Sequence, residues 1–270
     1  MFPLAGKNFP DSGEALAEAI QGALAQVLTL PKKNSAVAVQ GGKFPKVKTL
    51  KIDLSGASVS AAVPPPKPKA TGKREPGVEV DQLEVVGQPI KYEQNKLDLS
   101  LSARGVKFDY GRDKKGQPLL VLADAKGGHV EAKISKSDIE SLARAAAELA
   151  AKQQGIKIEG LDLTLTSSGP RSLAADARVK AKKLMVSGVI HIRGKVDVDD
   201  EMNATVSDLE CKGEGVVGTM VAGVVQGKLK PYEGKVFPLM TFSLGDVALR
   251  DLKIDVKNTV RVSADFGSSA

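Results

Sequence analysis

The chain has no tryptophan, one cysteine, two histidines, three tyrosines and seven phenylalanines in 270 residues. A lone cysteine, Cys211, excludes an intramolecular disulfide and a zinc cluster built on several thiolates. It has no recognisable histidine partner or nucleophile signature, which predicts a buried structural thiol. His129, in a Gly-Gly-His turn, and His191, on the polar side of a strand, are too isolated to assemble a metal or hydrolytic site, so no cofactor, metal or catalysis is expected. With so few rings for base stacking and the basic residues spread along strand faces, nucleic acid is not an expected partner. No window reaches the ~18 uncharged apolar residues that a membrane span needs. The N-terminal residues lack a basic region followed by an apolar core, so the chain as it stands is expected to be soluble and cytoplasmic. Removal of a leader would make it periplasmic or an envelope protein.

What is present describes a globular protein. Apolar residues make up 42% of the chain, enough for a substantial core, and the net charge of +7 favours anionic partners. Three helices are predicted. The first runs from about Ser12 to Leu30, capped by Asp11 and Glu14, with Leu16, Ile20, Ala23, Val27 and Leu30 on one side and Pro31 as its stop. The second runs from about Lys136 to Gln154 after the candidate caps Ser135 and Ser137. Its stripe holds Ile139, Leu142, Ala143, Ala146, Leu149 and Ala150. The third spans about Val216 to Leu229.

Elsewhere the period is two. Leu97, Leu99, Leu101 and Ala103 alternate with charged and hydroxyl residues, as expected for an antiparallel sheet with one wet face. Leu184, Val186, Ile190, Ile192, Val196 and Val198 continue that alternation over a strand from 184 to 198, interrupted at Gly188 and Gly194. Other strands switch face after Gly56, Gly105 and Gly160, which predicts bulges and a strongly curved sheet. The fold class expected is α+β: a long-stranded antiparallel sheet wrapped around amphipathic helices, one domain that divides near Lys133 into two helix-plus-sheet halves.

Residues 63–77 hold five prolines together with Lys67, Lys69, Lys73 and Arg74. This segment reads as a solvated basic loop, either a plain linker or a tether for transient contact with an anionic membrane. Asp197, Asp199, Asp200 and Glu201 read as an acidic hairpin tip. Gly213-x-Gly215-x-x-Gly218 has the letters of a dinucleotide loop, but that loop needs parallel strands on both sides. Around it the strands alternate in the antiparallel manner, so the glycines are assigned to close packing of a helix.

The stretches "GLDLTLTSSGP", "LMVSGVIHIRGKVDVDDEMNATVSDLECKGEGVVGTMVAGVVQGKL" and "PLMTFSLGDVALRDLKIDV" resemble the tubular lipid-binding proteins, the TULIP group, and within it the bacterial LmeA-like phospholipid-binding family. The likeness covers roughly Gly155 to Ala264. It implies an apolar groove between helices and curved sheet that takes the acyl chains of a phospholipid or other lipid, without covalent chemistry. Leu142, Ala146, Leu149, Ile190, Ile192, Val217, Val221, Val224 and Val225 are the candidate lining residues. On α-helical spacing, Thr219, Gln226 and Lys230 are expected nearer water. The alternative is a scaffold protein whose own helices fill the apolar face.

Overall fold

The computed structural model describes residues 1–31, 35–59, 68–152, 155–239 and 247–268. Among them are three helices, α1 (Gly13–Leu24), α2 (Lys136–Lys152) and α3 (Gly215–Leu229), in an α+β chain dominated by open, antiparallel-rich sheets. Strands β1 (Phe2–Pro3), β2 (Leu28–Thr29), β3 (Val37–Lys43), β4 (Lys46–Asp53), β5 (Ser58–Val59), β6 (Thr71–Tyr92), β7 (Asn95–Arg112) and β8 (Pro118–Ser135) precede α2. Between α2 and α3 come β9 (Lys157–Thr166), β10 (Ser172–Lys183), β11 (Val186–Val198) and β12 (Asn203–Glu214). Last come β13 (Val236–Pro238), β14 (Val247–Val256) and β15 (Thr259–Ser268). The chain separates into two compact units, one of Met1–Lys133, Met240–Asp251 and Ser263–Ala270, the other of Ile134–Leu239 and Leu252–Val262.

The first unit contains most of a ten-stranded sheet of order β14-β15-β8-β7-β6-β4-β3, with β1 on β8 and β5 joining β6 to β2. Most neighbours are antiparallel, but β4 and β5 run parallel to β6. Side-chain alternation reports which face is wet and not which way the neighbouring strand runs, so these two pairings had no signature. Leu16, Ile20 and Leu24 of α1 pack with Leu50, Val78, Val80 and Val106 in a core that is almost fully shielded. Ser12 is the N-cap, accepting from Ala15 N at 3.1 Å, in place of Asp11. The helix ends at Leu24, short of the expected Leu30, because Leu28 and Thr29 pair with Val59 and Ser58 as a strand.

Of the basic segment, residues 63–67, including Lys67, lie outside the described residues. Lys69 is exposed, and residues 71–77 are the start of β6 instead of an unpaired loop. Glu75 and Pro76 pair with Tyr110 and Asp109, and register shifts on both sides of that pair accommodate the proline, which has no N–H for the ladder. Lys73 and Arg74 are therefore exposed strand residues.

The second unit is built on a five-stranded sheet of order β13-β12-β11-β10-β9, antiparallel throughout. Gly160 stands at a register shift between β9 and β10, and Gly194 at one between β11 and β12, as the face-switch pattern predicted for Gly160. Gly56 instead falls in a turn after β4, and Gly105 has φ +58° within β7, where the pairing with β6 keeps its register.

Candidate functional site

The second unit carries the residues for which an acyl-binding role was expected, on the sheet face that α2 and α3 cover. That face presents Ile158, Leu161, Val179, Ala181 and Ile190, all buried, with Ile192 and Cys211 half-buried beside them. Burial raises the Cys211 thiol pKa, in keeping with a structural thiol.

Helix α2 starts from Ser135, whose Oγ accepts from Asp138 N at 3.0 Å and donates to the Asp138 carboxylate at 2.5 Å. It lies on the sheet through Ala143, Ala147 and Ala151, one methyl per turn. Leu142 is half-buried, Ala146 is exposed and Leu149 is 71% exposed. The helix is thus turned so that small residues face inward, which brings its backbone near the sheet at the expense of burying its leucines.

Helix α3 takes the same course further. Val217, Gly218 and Ala222 are buried and Val221 packs on the same cluster. A Cβ on Gly188 of β11 would stand 2.9 Å from Gly218 Cα, and one on Gly213 would strike the Gly218 carbonyl and the Thr219 nitrogen. Helix and strands meet backbone to backbone here. Gly215 has φ +74°, the left-handed region open to glycine, where the chain turns from β12 into the helix. The strand before it, β12, is antiparallel to β11, and the surfaces of Gly213 and Gly218 are occupied by neighbouring backbone.

Val225 is half-buried, while Val224 is 47% exposed, turned away from the sheet that Val217 and Val221 face. The outward stripe is Val216, Met220 and Val224, spaced by four residues and 80%, 47% and 47% exposed. Gln226, expected near water, has a buried Oε1 without a hydrogen-bond partner among the described residues. It lines, with Lys230 and Glu233, an open cleft of about 890 Å³ that also involves Asp176, Arg193 and Leu209. This cleft is rich in charge: Arg193 pairs with Asp176 at 2.7 Å, and Glu233 accepts from the backbone nitrogens of Asp208 and Leu209 at 3.1 and 2.8 Å.

Each histidine faces a single carboxylate. His191 Nε2 lies 3.4 Å from a Glu214 carboxylate oxygen, and His129, in strand β8 and not in a turn, lies 2.6 Å from Asp265. The acidic tip is a turn: Asp199 accepts from Asn203 N at 2.7 Å, and that bond lowers its pKa. No group of three or more potential metal ligands occurs among the described residues, and no helix among them is long and apolar enough to cross a membrane.

Leu184 was expected at the head of a strand face. It forms instead, with Met185, the two-residue turn between β10 and β11, and the two side chains are 88% and 90% exposed. Two alternating runs separated by two residues are a hairpin signal, but Leu-Met lacks the asparagine or glycine that marks such a turn. No protein-family model, curated protein or solved structure matches the chain.

Proposed function

We propose that the chain binds or carries acyl lipid without covalent chemistry, using the helix-bearing side of the second unit. The observation that carries this reading is the outward stripe of α3. A helix apolar on all sides belongs in a core or against lipid, and α3 has valine, methionine, alanine or leucine around most of its circumference while the sheet covers one side only. Val216 is 80% exposed and Met220 and Val224 are each about half exposed among the described residues, and acyl chains would complete their cover. The resemblance of residues 155–264 to tubular lipid-binding proteins points the same way, and a sheet wrapped around helices in their manner is part of this proposal.

The scaffold reading has its own support in the Gly188–Gly218 contact, by which α3 already occupies part of the sheet face. It leaves the outward stripe to be covered by another protein surface. Uptake of a fluorescent phospholipid by the delipidated chain separates the two. The acyl reading predicts saturable uptake that the exchange of Met220 and Val224 for Asp reduces at least tenfold, on the order of the cost of setting a carboxylate against acyl chains. Absence of uptake, or uptake unchanged in that variant, overturns it.

A further inference from the structure

We infer that the second unit docks on an anionic lipid bilayer through the end that carries the β10–β11 turn. This goes beyond acyl binding, because docking requires no lipid to be extracted, and either property stands without the other.

Lys183 pairs with Val186 at the last rung of the hairpin, so Leu184 and Met185 are its apex. They are 88% and 90% exposed, and Val186 is 50% exposed. Leu184 also has φ +56°, a region disfavoured for a side chain of its size. Polar, flexible residues suit such an apex better, and the described residues leave the two apolar side chains almost uncovered.

Other elements end at the same place. Val189, near the start of β11, pairs with Glu214, the residue before α3, and a Cβ on Gly215 would lie 3.5 Å from Ser187 O. The first turn of α3, with Val216 at 80% exposure, therefore stands beside the hairpin apex. On the other side Lys182 pairs with Lys157, the first residue of β9, and Ile156 N donates to Ala151 O at 3.1 Å, which brings the end of α2 to this edge.

Basic residues outnumber acidic ones here: Lys152, Lys157, Lys182 and Lys183 against Glu159 and Glu214. Lys152, Lys157 and Lys183 form no ion pair among the described residues. The Glu159 carboxylate lies 4.0 Å from Lys182, and the exposed Glu214 carboxylate lies 3.4 Å from His191 Nε2. An apolar apex beside three uncompensated ammonium groups matches the boundary between acyl chains and anionic headgroups, where the apex enters the apolar layer and the lysines meet phosphate. A basic rim selects an anionic surface over an uncharged one.

Flotation of the full chain with vesicles of phosphatidylcholine, with and without phosphatidylglycerol, tests this. The chain is expected to float with the phosphatidylglycerol vesicles, and less so as salt is raised. Replacing Lys152, Lys157 and Lys183 with Glu should lower the bound fraction at least about tenfold. Leu184→Asp with Met185→Asp should abolish binding while leaving thermal unfolding unchanged, since both side chains already lie in water. No flotation with anionic vesicles, or flotation that neither variant weakens, overturns the inference, whatever protein partner the apex then proves to bind. Mass spectrometry of acyl lipid in the purified chain is read separately. A chain that floats but carries and takes up no lipid loses the proposed function alone, and one that carries lipid but does not float loses the docking surface alone.

Discussion

Gly188 of β11 and Gly218 of α3 touch through their backbones, and a methyl group on Gly188 would stand 2.9 Å from Gly218 Cα. Neither backbone has a flexible side-chain end that could move aside. Gly188→Ala is therefore expected to destabilise the second unit by about 1–3 kcal/mol, the usual cost of overpacking, with a lowered Tm in thermal unfolding. A variant as stable as the parent would mean that the helix does not sit against the strand.

Val221 and Val224 are about 60° apart around the same helix, the first half-buried on the sheet cluster and the second 47% exposed. Val221→Asp places a carboxylate against the apolar cluster of the sheet and is expected to cost about 2–3 kcal/mol of stability. Val224→Asp should change it by less than about 0.5 kcal/mol. Denaturant titration of both variants reads the orientation of α3 directly, and equal losses would contradict it.

Burial, with the charge of Asp11 as a lesser cause, raises the Tyr110 pKa to about 12. Its hydroxyl donates to Pro10 O at 3.2 Å and its ring stacks on Phe9 at a centroid distance of 4.6 Å. The folded chain keeps this proton where the unfolded chain, with an ordinary value of about 10, has lost it. The stability it contributes is complete below about pH 10 and is lost as pH rises towards 12. Ultraviolet titration should show a late tyrosine step, and Tyr110→Phe should remove it. A Tyr110→Phe protein that retains the late step would contradict the assignment.

The three helices were legible because their apolar residues recur at three- and four-residue intervals, yet the face that each one buries was less so. Hydrophobicity alone ranks Leu149 above Ala147 for the interior of α2, but the close approach of helix to sheet selects the alanine and leaves the leucine exposed. The same competition puts Gly218 and Ala222 inside and Met220 outside on α3. Tertiary pairing overrode local pattern after Leu24, where Val27 and Leu30 extend the helical stripe of α1 on paper but Leu28 between them joins Val59 in a strand. At Leu184 the alternation of β11 continued through a turn whose residues carry no turn signature, so the exposed apex could be recognised only once Lys183 was seen to pair with Val186.

Acyl-lipid binding is most directly tested by mass spectrometry of an organic extract of the purified full chain, before and after incubation with phospholipid vesicles from which it is then separated. The account predicts a phospholipid or fatty acid recovered in fixed proportion to protein, and recovered in smaller amount from the Met220→Asp, Val224→Asp variant. Extracts free of acyl lipid under both conditions, from a chain that is folded by circular dichroism, would contradict it.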